Sequence, residues 1–177
     1  MKRSALKWEL TGIAVISLLG SALHFVFEWS GEMASVGVFA AVNESVFEHL
    51  KLIFWPTVLY GAITFNFLKS STNNLIIAKA AALYTMPLTI IVLFYSYTTL
   101  TGIESVLIDI LIFIIAVACG QLASYGILKI KTLTGWLNWL SLSLIIVLAF
   151  IYGFFTFYPP HLPFFMDSSS GIYGIPR

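Results

Sequence analysis

Asn43-Glu44-Ser45-Val46-Phe47-Glu48-His49-Leu50-Lys51 puts two carboxylates, an imidazole, a carboxamide and an amine into nine residues. Residues 52–68 behind it carry no charge, and the loop in front of it, residues 30–42, has Glu32 as its single charge. A helix over 46–68 is long enough to cross a bilayer core, which takes about 20 apolar residues. The stretch therefore reads as the polar mouth of a membrane-crossing helix. Polar groups are costly where water is scarce, so such a cluster is a functional-site candidate. Ser45 and Glu48 also have the S-x-x-E spacing of a capping box. That reading accounts for these two residues and leaves Glu44 and His49 without a task.

Composition points the same way. The chain has 177 residues, 59% hydrophobic and only 10% charged, with mean hydropathy +0.96. Soluble domains carry nearer about 25% charged residues, and a soluble fold of this size could not bury so much apolar surface. The expected class is an all-α integral membrane protein with the lipid bilayer as its solvent. A net charge of +1 offers nothing to nucleic acid. Cys119 is the sole cysteine, so an intrachain disulfide is excluded; a buried, isolated thiol in an apolar run is not expected to react.

Five apolar runs are long enough to span: residues 8–29, 46–68, 75–97, 104–128 and 133–157. None alternates as an outer-membrane strand would. The start of the chain imitates a signal peptide, with Lys2 and Arg3 before an apolar stretch and Gly20-Ser21-Ala22 behind it. The apolar run continues through Phe27, however, which favours a span. Pro56 and Pro87 fall inside the second and third runs and are expected to kink them. Asn66, Gln121, Ser124 and Asn138 read as hydrogen-bond partners between helices.

The basic residues set the expected orientation. An N-terminus in the cytoplasm places Lys2, Arg3, Lys7, Lys69, Lys79, Lys129 and Lys131 inside, and leaves Lys51 and Arg177 outside. The C-terminus then lies outside. Residues 1–157 form the bundle and residues 158–177 an extracytoplasmic tail. The tail, with Pro159-Pro160-His161-Leu162-Pro163 followed by Phe164, Phe165 and Met166, is too apolar for a disordered segment; it is expected to fold over the outer face as a lid. The loop 30–42 is expected to be interfacial or re-entrant.

In this orientation Glu9 alone among the acids is on the inner half, while Glu28, Glu32, Glu44, Glu48, Glu104, Asp109 and Asp167 are on the outer half with His24, His49 and His161. His24 and Glu28 share a helix face at i, i+4, as do Glu44 and Glu48; His49 lies about 100° round from Glu48. Three imidazoles with carboxylates suit the three-ligand shell of a catalytic zinc or other divalent metal. The expected ligands are His24, His49, His161 and Asp167, with Glu44 or Asp109 as base and Glu28, Asn43, Glu48 and Lys51 as further site candidates. Carboxylate pairing with histidine or Lys51 is the metal-free alternative.

The motifs Asn43-Glu44-Ser45-x-x-Glu48-His49, Pro160-His161-x-Pro163 and Gly171-Ile172-Tyr173-Gly174-Ile175 resemble an uncharacterised family of small multispan bacterial membrane proteins. The resemblance implies a bacterial inner membrane and brings no activity with it. Polar groups gathered at one membrane face are also similar to the membrane hydrolases of the alkaline ceramidase and adiponectin-receptor type. Those have seven helices and an H-x-x-x-H absent here, so the likeness is analogy.

The leading expectation is a membrane-embedded enzyme with an outward-facing His/carboxylate site, a metal-dependent hydrolase of a lipid or amphiphilic substrate in its metal-bound form. A small transporter or proton-coupled channel is the first alternative, and a non-enzymatic binding or assembly subunit the second. The sequence does not specify protein partners.

Overall fold

The computed structural model describes residues 2–69 and 72–175, with the backbone alone for residues 2 and 3. Ser70, Ser71 and Arg177 lie outside the described residues. The elements are α1 (Lys2–Trp29), the short α2 (Ala34–Gly37), α3 (Val46–Leu68), α4 (Leu75–Thr101), α5 (Val106–Lys129), α6 (Trp136–Phe157) and a 3-10 turn over Pro163–Phe165. Five of these helices are long and apolar enough to cross a membrane. In lipid every backbone polar group must be satisfied internally, which a helix does within its own segment. Many large apolar side chains, such as Leu18, Leu100, Val106 and Phe150, face outward. This is the surface of a multi-pass membrane protein in contact with lipid.

The expected spans need correction at their ends. α1 starts before Trp8. α4 runs past Tyr97 because Thr98 and Thr101 hydroxyls donate to the Phe94 and Tyr97 carbonyls of their own helix, and it stops at Gly102, whose φ of 70° is left-handed. α5 starts later than Glu104, and α6 starts later than Leu133, whose N–H is taken by the Asn74 side chain at 3.0 Å. Cys119 is on the exposed face of α5 rather than in the core.

Inside the bundle, Ile16, Phe54, Met86 and Val117 form the centre of one hydrophobic core. α1 approaches α3 at Gly20, where a Cβ would meet the Leu52 carbonyl oxygen at 2.4 Å and Phe113 at 2.6 Å. Leu52 is four residues before Pro56, which has no N–H to return to that carbonyl. The proline thus frees a carbonyl on the side where the glycine lets α1 come close. Gly20→Ala should force the two helices apart and destabilise the chain by about 1–3 kcal/mol, as overpacking does. A thermal unfolding midpoint in detergent equal to that of the parent would refute this.

Two of the lysines used to set the expected orientation are core residues. Lys79 is in the second turn of α4 and donates to both carboxylate oxygens of Glu9 at 2.7 and 2.8 Å. Ser124 donates to Glu9 at 3.1 Å, and Gln121 donates to the Glu9 carbonyl at 3.2 Å. This cluster ties α1, α4 and α5 together, as the interhelical reading of Gln121 and Ser124 expects, whereas Asn66 donates at 3.5 Å within its own helix, to Ala62. At the opposite end Lys51, fully buried, is paired with Glu48. The Lys51 amine also donates to the Gly37 carbonyl at 2.6 Å and to Thr156 Oγ1 at 2.7 Å. That bond pins the 30–42 loop, whose Ala40, Ala41 and Val42 are buried.

The tail packs as a strap. Phe47 of α3 touches Phe165 at 4.6 Å and Tyr152 at 5.5 Å between ring centres. Asn43 donates to the Gly174 carbonyl at 2.8 Å. Phe165 and Asp167 are buried, so the tail is anchored to the loop that precedes α3.

Candidate functional site

Ser45 begins α3 in an extended conformation, and its hydroxyl accepts the Glu48 N–H at 3.3 Å. This is half of a capping box. The reciprocal bond is absent: the Ser45 N–H goes to Asn43 Oδ1 at 2.9 Å, while the Glu48 carboxylate turns inward to the Val42 N–H at 3.0 Å and to Lys51. Asn43, using both ends of its carboxamide, holds the loop against the tail. Glu48 and Lys51 therefore belong to the scaffold beneath the site, and the next residue, His49, points elsewhere.

His49 meets Glu44 and His24. Glu44 Oε2 lies 3.4 Å from His49 Nε2 and 3.6 Å from His24 Nε2. The two rings are edge to face, 5.2 Å between centres. One ligand atom from each of the three residues lies within 4.8 Å of the others, and this is the only such group among the described residues. His49 Nδ1 is 2.9 Å from the Ser45 carbonyl. A carbonyl only accepts, so Nδ1 carries the hydrogen and the Nε2 lone pair of neutral His49 is turned toward Glu44. Two lone-pair-bearing groups facing each other need a cation between them, a proton or a metal ion.

Glu44 precedes α3, and its side chain is half-exposed. The neighbouring His24, then His49, hold its carboxyl well below the usual carboxylate range, against the opposing effect of burial. A carboxylate so held is a good ligand and a poor proton acceptor.

The other expected site residues lie apart. His161 is exposed and stacks edge-on against Tyr173 at 4.8 Å. Asp109 accepts the Tyr97 hydroxyl at 2.6 Å, and that hydroxyl in turn accepts the Ser105 N–H at 3.2 Å; it closes the α4–α5 turn. Burial opposes ionisation of Asp167, but bonds from Ser169 and Ser170 outweigh it and hold its carboxyl below the ordinary value. Its other oxygen accepts the Glu44 N–H at 3.4 Å. Asp167 thus supports the loop of the site from behind and is absent from the ligand group. Thr156 and the Ser45 carbonyl were not foreseen. A lone hydroxyl in an apolar helix is a weak signal, and a backbone carbonyl gives none.

Beside the three residues is an open cleft of about 310 Å³, lined by His24, Phe25, Glu28, Glu32, Asn43 and Glu44 among others. His24 lies little more than one turn from the end of α1, so the cleft is near the rim of the bundle.

A family described as "Family of unknown function (DUF6512)" matches residues 1–175. The chain belongs to this family. The match spans both the bundle and the strap, so the loop, the helix mouth and the tail that clamps them are all within the family's extent. Neither a search of curated proteins nor one of solved structures finds a match.

Proposed function

We propose that the chain is a membrane-embedded enzyme in which His24, Glu44 and His49 hold a divalent metal ion, zinc or one of similar preference, and that it hydrolyses a lipid or another amphiphilic substrate. The spacing of 3.4 and 3.6 Å between ligand atoms carries the reading. Ligands about 2.0–2.1 Å from a tetrahedral ion are about 3.3–3.4 Å from each other. Charge-assisted N–H···O bonds would instead close to about 2.7–2.9 Å. Two histidines and a glutamate make a known three-ligand set that leaves one position open. A metal in such a set lowers the pKa of its water to about 7 and polarises a substrate oxygen. The Ser45 carbonyl orients His49, as outer partners of metal-bound histidines do.

The charges support a site facing away from the cytoplasm, in a bacterial inner membrane. Lys51 is sealed in its ion pair and Lys79 in its own. The remaining lysines with described side chains, Lys7, Lys69, Lys129 and Lys131, are exposed or half-exposed at the end opposite the site, which strengthens the positive-inside argument.

Purified protein loaded with zinc should retain about one ion per chain by elemental analysis. His24→Ala and His49→Ala should lose it; His161→Ala should keep it. No ion above background in the parent, or equal loss in all three variants, would overturn the reading. A proton-coupled transporter is the second reading, and the buried Glu9–Lys79–Ser124 cluster in the other half of the bundle favours it. Ile16 and Met86, both fully buried, fill the core between the two clusters, which argues against an open path.

A further inference from the structure

The cleft beside the proposed metal site has walls of one sign. Glu28 and Glu32 line it with Glu44, and among the described residues no lysine or arginine does. Glu44 is engaged by the two histidines. Glu28 and Glu32 are exposed, and neither forms an ion pair among the described residues. Their positions are set by the end of α1. The Gly31 N–H bonds the Glu28 carbonyl at 2.9 Å, and the Glu32 N–H bonds the Phe27 carbonyl at 3.1 Å. This is a Schellman closure, with Gly31 at φ 71° and Glu32 itself at φ 60°. The left-handed backbone turns the chain sharply and keeps Glu32 on the same wall as Glu28. The C-terminal end of a helix is the negative end of its dipole, so α1 adds to the field of the two carboxylates. The opposing field of the α3 N-terminus is met by Ser45 and by Glu48.

Aromatic rings complete the wall. Phe27 and Phe25 line the cleft. Phe25 stacks between His24 at 5.1 Å and Trp29 at 5.7 Å, and both Phe25 and Trp29 are largely exposed on the surface that meets lipid. Carboxylates beside ring faces are the surroundings that ammonium groups select. A strip of exposed rings at the rim gives an alkyl chain a path outward.

We propose that this cleft receives an amphiphile whose head group carries a positively charged amine or ammonium, with Glu28 and Glu32 as its counter-charges and its alkyl chain lying along Phe25 and Trp29. This rests on the site proposed above and names its substrate class. Three carboxylates outweigh one divalent cation, so the wall stays negative with the ion bound.

The test uses three ligands of one chain length, octadecylamine, octadecanol and octadecanoic acid, added to the full-length protein in detergent and followed by native mass spectrometry. The amine should bind at about tenfold lower concentration than the alcohol, and the acid more weakly than either. In the Glu28→Gln, Glu32→Gln double variant the amine should fall to the level of the alcohol, while zinc content, which these residues do not supply, stays at the parent value and reports an intact site. Equal binding of amine and alcohol, strongest binding of the acid, or a preference that survives the double substitution would overturn the proposal. Amine preference in a protein that holds no zinc would uphold this inference and remove the metal reading. Zinc without amine preference would do the reverse.

Discussion

Lys51→Met is expected to destabilise the chain by about 3–5 kcal/mol, the range for removing one partner of a buried ion pair. The substitution keeps most of the side-chain volume, so packing is not the main loss. It leaves the Glu48 carboxylate about 1% exposed with its charge opposed only by the Val42 N–H and Thr156. It also leaves the Gly37 carbonyl and Thr156 Oγ1 without their donor. Adding Glu48→Gln should recover most of the stability, because the carboxamide can still accept from Val42 and no charge remains to be solvated. Reversible unfolding in mild detergent, with the two single variants and the double, forms the cycle that isolates the pair. A single-variant loss within about 1 kcal/mol of zero would mean that water reaches the pair. The loop 30–42 hangs from the Gly37 carbonyl and the Val42 N–H, so the same variant should loosen the loop that carries Glu44.

The helices were legible because lipid imposes a length and a composition on each of them. The span 46–68 was read to the residue: Ser45 signals its start and Lys69 its end. The C-terminal end of α4 was less legible, since Thr98–Thr101 looks polar in sequence but turns its hydroxyls back on its own carbonyls. The apolar loop 30–42 announced that it must be packed. Its anchor appeared only in part: Lys51 read as a partner for a carboxylate, but its bonds to the Gly37 carbonyl and Thr156 join positions far apart in sequence. Lys79 and Glu9, seventy residues apart, are the same case: hydropathy places each near a helix end and cannot say that they face each other.

The site was legible in part. Helical spacing separated Glu48 from His49 by about 100°, and the fold uses that separation, sending one into the scaffold and the other into the cleft. The i, i+4 rule suggested Glu28 as the partner of His24. The partner is Glu44, because α1 crosses α3 at Gly20 and brings His24 over the α3 entry. The tail residues carried the least readable geometry. Asp167 looks like a ligand in sequence, yet the turn it begins takes up its oxygens with the N–H groups of Ser169 and Ser170.

The ion held by His24, Glu44 and His49 is expected to leave as the pH falls. Each histidine must give up the proton on its ligating nitrogen to bind metal. With two of them the apparent affinity should fall about a hundredfold per pH unit once both are protonated in the metal-free protein. Glu44 should add nothing to this slope, because its carboxyl is held below its usual value of 4.5 by His24 and His49 and stays ionised. The sign for stability separates release from unfolding. A carboxyl with a depressed folded-state value contributes stability above the ordinary carboxylate range and loses it only as the pH drops below that range. Metal release near neutrality therefore occurs in a folded chain. Competition with a chromophoric chelator from about pH 8 to pH 5 measures the slope, and intrinsic fluorescence followed in the same samples reports the fold. Glu44→Gln, which removes the charge and one ligand, should weaken binding at every pH by at least about a hundredfold, beyond what loss of an outer partner costs. An affinity independent of pH across this range would show that the imidazoles do not hold the ion. A Glu44→Gln protein that binds as tightly as the parent would place the ion elsewhere.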